Sequence, residues 1–184
     1  LFTGFGWVAL GEKDSLTSPT CDTGRPITNA EPCITSSMWN RTDALCMTGS
    51  IPAIPDPPTQ ADYDSNWGVQ IGVNATEPWG AIGDALAGYK TMTFTISGSP
   101  KSGLRAMLHR KGDPDNVTYC VDSIKSGMAI SLSKFSTKCW GDETTVFLTP
   151  EDLPTIDKMG LQVSSNMTEI TVQNLCLEKV EFAK

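Results

Sequence analysis

Thr91-Met92-Thr93-Phe94-Thr95-Ile96-Ser97 is the stretch whose reading decides the fold class. Met92, Phe94 and Ile96 alternate with Thr91, Thr93 and Thr95, a period of two that puts one set in a core and the other on the opposite face of a strand. A helix would need apolar residues three and four apart, and no stretch of the chain reads as a long amphipathic helix. Outward from this segment the alternation recurs. Val69, Ile71 and Val73 alternate with Gln70, Gly72 and Asn74, and Leu104, Ala106 and Leu108 alternate with Arg105, Met107 and His109. Shorter candidate strands lie at 117–121, 128–132, 145–148 and 160–164, with a long one at 170–182. Gly, Pro, Asn, Asp and Ser separate them. The expectation is an all-β antiparallel sandwich with one or two short helical turns, forming one domain over residues 1–184.

Two regions interrupt the pattern. Pro52, Pro55, Pro57 and Pro58 make 49–59 an extended loop, since proline cannot serve a central strand. Thr149-Pro150-Glu151-Asp152 reads as a helix start, with Thr149 as N-cap and Pro154 limiting it to about a turn. A second short helix is expected within 77–86. Residues 11–35, rich in Thr, Pro, Asp and Gly, read as a loop clipped by the first two cysteines.

Six cysteines stand at 21, 33, 46, 120, 139 and 176 without a CxxC pair, and His109 is the only histidine. Zinc clusters are therefore disfavoured and three disulfides expected, which implies an oxidising compartment and a secreted chain. The strand layout suggests Cys21–Cys33 as a local clip, Cys120–Cys139 between nearby strands, and Cys46–Cys176 joining the beginning to the end. The chain begins at Leu1 without methionine or leader, which reads as processing or excision from a longer precursor. A net charge of −7 without charge blocks argues against nucleic acid and anionic membranes. No apolar run approaches the length of a membrane span.

The succession Gly4-Phe5-Gly6-Trp7-Val8, Leu45-Cys46-Met47-Thr48-Gly49 and Asp64-Ser65-Asn66-Trp67-Gly68-Val69-Gln70-Ile71-Gly72 carries a resemblance. It continues through Phe94–Gly98, Gly103-Leu104-Arg105, Tyr119-Cys120, Cys139-Trp140, Leu161-Gln162-Val163 and Asn174-Leu175-Cys176-Leu177. These pieces resemble secreted bacterial jelly-roll (galactose-binding-like) domains of the carbohydrate-binding-module type. The resemblance implies two sheets packed face to face, with a glycan on one sheet or on the loops along one edge. It also implies that Gln70, Gly72, Asn74, Arg105, Met107, His109, Gln162 and Ser164 line a common polar groove if their strands are neighbours.

Sugar recognition requires aromatic platforms and planar hydrogen-bonding groups. The candidate ligand-binding residues are Arg105, Gln162, Gln70, His109, Trp67, Trp79 and Tyr63. Trp7 and Trp39 read as core, and Trp140 as packing over a disulfide. Asp62-Tyr63-Asp64-Ser65-Asn66-Trp67-Gly68 spells D-x-D-x-N-x-G, so Asp62, Asp64 and Asn66 are candidate ligands for a structural calcium, the one cofactor the sequence brings into question. The spacing departs from an EF-hand, because Val73 stands where the bidentate glutamate belongs. N-x-T sequons occur at Asn40, Asn74, Asn116 and Asn166.

Carboxylate pairs at Asp113/Asp115, Asp142/Glu143 and Glu151/Asp152 all fall in turns, which gives glycosidase chemistry no support. The expected function is non-catalytic, extracellular carbohydrate binding. The alternative is a structural or adhesive domain that self-assembles or binds other proteins.

Overall fold

A computed structural model describes residues 2, 4–20, 27–28, 44–76, 80–114, 117–140 and 144–184. Its strands are β1 (Gly6–Leu10), β2 (Ser15–Ser18), β3 (Ile27–Thr28), β4 (Leu45–Ile51), β5 (Gly68–Asn74), β6 (Thr91–Ser99), β7 (Leu104–Arg110), β8 (Tyr119–Ile124), β9 (Ala129–Ser131), β10 (Ile156–Ser164) and β11 (Ile170–Ala183). A six-residue helix, α1 (Gln60–Ser65), precedes β5, and single 3-10 turns occupy Gly83–Leu86, Leu132–Lys134 and Leu153–Thr155.

The strands form two antiparallel sheets, ordered β1-β5-β10-β7-β8 and β3-β2-β4-β11-β6-β9. The last eight strands pair β4 with β11, β5 with β10, β6 with β9 and β7 with β8. That is one long antiparallel ribbon folded over into two sheets, the jelly-roll topology. Alternation sets the core. Val69, Ile71 and Val73 of β5, Leu104, Ala106 and Leu108 of β7, and Leu161 and Val163 of β10 face Met92, Phe94 and Ile96 of β6 and Met47, Ile51, Val172 and Leu175 of β4 and β11. Burying each large apolar side chain contributes roughly 1.5–3 kcal/mol, and this shared slab is what holds the sheets together.

Two disulfides are formed as the strand layout suggested. Cys46–Cys176 joins directly paired residues of β4 and β11, and Cys120–Cys139 ties β8 to the segment after it. The expected Cys21–Cys33 pair, Trp39, Trp79 and the sequons at Asn40 and Asn116 lie outside the described residues.

The sequence reading needs four corrections in secondary structure. β2 lies within the expected 11–35 loop, and β4 extends to Ile51, so the proline-rich loop begins only at Pro52. Segment 145–148 contributes one bridge, Phe147 to Ser136, in place of a strand. The candidate calcium stretch is no continuous loop, since its first four residues lie in α1, with Thr59 as N-cap. Thr59 and Asp62 form a reciprocal capping box, which satisfies amides that would otherwise be bare at the helix start. Among the described residues, no helix is long and apolar enough to cross a membrane.

Candidate functional site

The outer face of the five-stranded sheet gathers most of the polar residues the sequence singled out. β5, β10 and β7 are neighbours, so their outward residues fall into rows across the strands. Ala9, Gln70, Gln162 and Arg105 form one row. Trp7, Gly72, Gly160, Met107 and Cys120 form the next. Asn74, Lys158 and His109 form a third. A pocket of about 250 Å³ opens over the second and third rows, lined by Trp7, Gln70, Asn74, Met107, His109 and Thr118 among others. It lies just below the roughly 300–1,000 Å³ of drug-sized sites.

Trp7 is the residue the sequence reading misplaced. It lies on the outer face and lines the pocket, rather than entering the core. Its indole rests against the two glycines it crosses. A Cβ on Gly160 would stand 3.2 Å from Trp7 Cη2, and one on Gly72 would collide with Trp7 Cζ2. Glycine is needed at position 72 because the ring and Met159 O occupy the space where a side chain would project, and at 160 because Ile71 O does so with the ring close behind. Trp7 Nε1 and Asn74 Oδ1 are both sealed and without a hydrogen-bond partner. Asn74 is only 2% exposed, so this sequon side chain belongs to the floor of the face and not to its surface.

At the other flank the aromatic is Trp140, 44% exposed. It lies over the guanidinium of Arg105, with Cζ 4.6 Å from the ring centroid, a cation–π contact. The segment that carries it is fastened to β8 twice. Ser136 exchanges backbone hydrogen bonds with Cys120, and Cys139 is bonded to Cys120. Met107 packs with that disulfide in a small apolar cluster separate from the main core. Trp140 therefore packs on Arg105.

Arg105 and Gln162 are buried and already engaged. Arg105 Nε donates to Asp122 Oδ1 at 2.5 Å and Nη1 donates to Gln162 Oε1 at 3.2 Å. Gln162 Nε2 donates to the backbone carbonyl of Trp67 at 3.0 Å. This chain of bonds gives each buried polar group a partner, which lets the row stay buried at little cost. Its effect is to lock the floor and support Trp140. His109 is also anchored on both sides, with Nδ1 2.6 Å from Asp157 Oδ1 and Nε2 3.3 Å from the Pro114 carbonyl oxygen. Gln70 is half-buried and lines the pocket.

The remaining candidates lie elsewhere. Trp67 offers the face its backbone carbonyl, and Tyr63 sits exposed on α1. Asp62 accepts from Thr59, which holds its carboxyl below the usual range, while Asp64 accepts from Gln60. Residues two apart on a helix point to opposite sides, so α1 turns these two carboxylates away from each other. Asn66 points inward, donating from Nδ2 to the Pro52 carbonyl. Among the described residues, no three His, Cys, Asp or Glu side chains cluster as a metal shell.

A second polar cluster surrounds Arg110, which binds Asp113 through two nitrogens and also contacts Asp152. Both carboxylates raise the Arg110 guanidinium further above its already high value. Burial alone would raise the Asp152 carboxyl, but the Thr149 N–H and hydroxyl, together with Arg110, hold it below the usual value. The cluster braces the β7–β8 connection against the turn before β10. No known family model matches the chain, and no curated protein matches it.

Proposed function

We propose that this domain is a non-catalytic, extracellular carbohydrate-binding module whose ligand lies on the outer face of the five-stranded sheet. The observation that carries the reading is the pair of tryptophans flanking one polar surface. Trp7 rests against Gly72 and Gly160 at one side, and Trp140 stands on Arg105 at the other. Pyranose rings present apolar C–H faces to such indoles, and their hydroxyls exchange hydrogen bonds with amide and hydroxyl groups such as Gln70 and Thr118. Both tryptophans sit on supports that fix their geometry, so little ordering entropy is lost on binding. A neutral ligand suits a chain with a net charge of −7. Two disulfides agree with an oxidising compartment.

The test is a broad glycan array on the folded protein, repeated with calcium and with chelator. Selective binding that Trp7→Ala weakens supports the reading. Silence across the array, with folding verified by circular dichroism, contradicts it.

One observation favours a second reading, adhesion to protein or to another copy. Val146 and Phe147 are 48% and 56% exposed on the segment after Trp140. Sedimentation velocity over a concentration series tests self-association. A monomer at all concentrations removes that form of it.

A further inference from the structure

The pocket of about 250 Å³ on the outer face has an apolar floor and few uncommitted polar groups. Met107, buried and packed with the Cys120–Cys139 bridge, forms that floor with the Trp7 ring, Ala9 and Gly160. Most of the polar groups around it are already engaged or covered. His109 is bonded at both nitrogens, Lys158 has a partner, and Trp7 Nε1 and Asn74 Oδ1 are sealed from solvent. Two half-buried lining side chains remain without a hydrogen bond to another described residue, the Gln70 amide and the Thr118 hydroxyl. They stand on opposite flanks. The sheet runs β5-β10-β7-β8, so Gln70 of β5 lies to one side of Met107 of β7, and Thr118, just before β8, lies to the other.

A plain hydroxyl pressed onto such a floor loses its water and gains no partner, which opposes binding. The group that fits has an apolar end, one donor and one acceptor, with the donor and acceptor pointing apart. An acetamido group has that form. It ends in a methyl, and its planar trans amide directs N–H and C=O to opposite sides. The pocket is smaller than sites that enclose a drug-sized ligand, so it takes one substituted ring of a glycan lying along the face. Its described lining includes no carboxylate, the partner that the ammonium of a free amino sugar needs.

We propose that this pocket selects 2-acetamido sugars, an inference that rests on the carbohydrate reading of the same face and names the sugar class. The acetyl methyl lies on Met107 and the edge of the Trp7 ring. The sugar amide N–H donates to Gln70 Oε1, and the Thr118 hydroxyl donates to the acetyl oxygen.

The experiment titrates the full chain by NMR with matched methyl β-glycosides that differ only at C2, N-acetylglucosamine against glucose and N-acetylgalactosamine against galactose. In at least one pair the acetamido sugar binds about tenfold tighter than its hydroxyl counterpart. Thr118→Val, close in size but without the hydroxyl, reduces that preference several-fold and leaves affinity for the hydroxyl counterpart unchanged. Thr118→Ser keeps the hydroxyl and keeps the preference. Equal binding of both members of each pair, still weakened by Trp7→Ala, overturns the acetamido assignment and leaves the face standing as a glycan site. A preference that Thr118→Val does not touch overturns the placement of the amide. Failure of all four sugars overturns the assignment as well, and only a silent array beside it removes the carbohydrate reading.

Discussion

The two outward faces of the sandwich follow the same alternation and have opposite characters. On the six-stranded sheet, Thr91, Thr93, Thr95 and Ser97 of β6 lie beside Lys179 and Glu181 of β11, while Thr48 and Ser50 of β4 lie beside Ser15 and Thr17 of β2. Its hydroxyls find each other or nearby backbone, as in Ser15 Oγ with Ser50 Oγ at 3.2 Å and Thr17 Oγ1 donating to Thr48 O at 3.3 Å. It is a solvated sheet exterior of the usual kind. The five-stranded sheet turns outward an arginine, a histidine, amides, a methionine and a tryptophan, and most of these are buried. Burial of an outward face requires a second layer, and Trp7, Trp140 and the Cys120–Cys139 segment provide it. The difference teaches that a polar residue at an outward strand position marks a site only when something covers it.

The disulfides divide along the same line, and their removal separates stability from binding. Cys46–Cys176 lies on the hydroxyl face and closes a sequence separation of 130, against 19 for Cys120–Cys139. Loop-closure entropy then favours the first, at about 4–5 kcal/mol compared with about 3 kcal/mol. Cys46→Ser with Cys176→Ser lowers the denaturant midpoint more and leaves affinity for an array-identified glycan unchanged. Cys120→Ser with Cys139→Ser costs less stability and weakens binding by loosening Trp140. The reverse pattern breaks the comparison.

Smaller effects sharpen it. Trp7→Ala lowers glycan affinity about 30-fold by calorimetry, as expected for an aromatic anchor worth about 2 kcal/mol. Trp140→Ala lowers it about tenfold, since it removes an exposed platform whose arginine support remains bonded to Asp122 and Gln162. Thr93→Ala and Thr95→Ala, on the hydroxyl face, change stability by less than about 0.5 kcal/mol and leave affinity unaltered. Smallest is the effect of acid on the Arg110 cluster. Asp152 is held below the ordinary carboxyl value of 3.8, so its contribution is present above that pH and is lost as pH falls through the lower folded value. Asp152→Asn therefore narrows its stability gap to the wild type on acidification, and a gap that widens would contradict the sign.

The core was legible because β5, β6 and β7 alternate cleanly, and the common face of Gln70, Gln162 and Arg105 followed once their strands proved adjacent. Trp7 was not legible, because Gly6-Trp7-Val8-Ala9-Leu10 has too little polar contrast to fix which phase points inward. The signal that could have found it is the pair Gly72 and Gly160, bare positions in two strands that become neighbours in the sheet. α1 escaped because none of its residues is buried, so it has no apolar stripe, although Thr59-x-x-Asp62 spells a capping box with aspartate in the acid's place. The engagement of Arg105 by Asp122 and Trp140 depends on contacts between β7, β8 and the segment after β9. Periodicity says nothing about those.

The central claim is that the five-stranded sheet's outer face is the binding surface. A ¹⁵N-resolved NMR titration with an array-identified glycan tests it most directly. The account predicts that the indole Nε1–H signals of Trp7 and Trp140 and the Gln70 amide shift together, with β6 unmoved. Shifts confined to Thr91–Ser99 of β6, with both indoles silent, would contradict it.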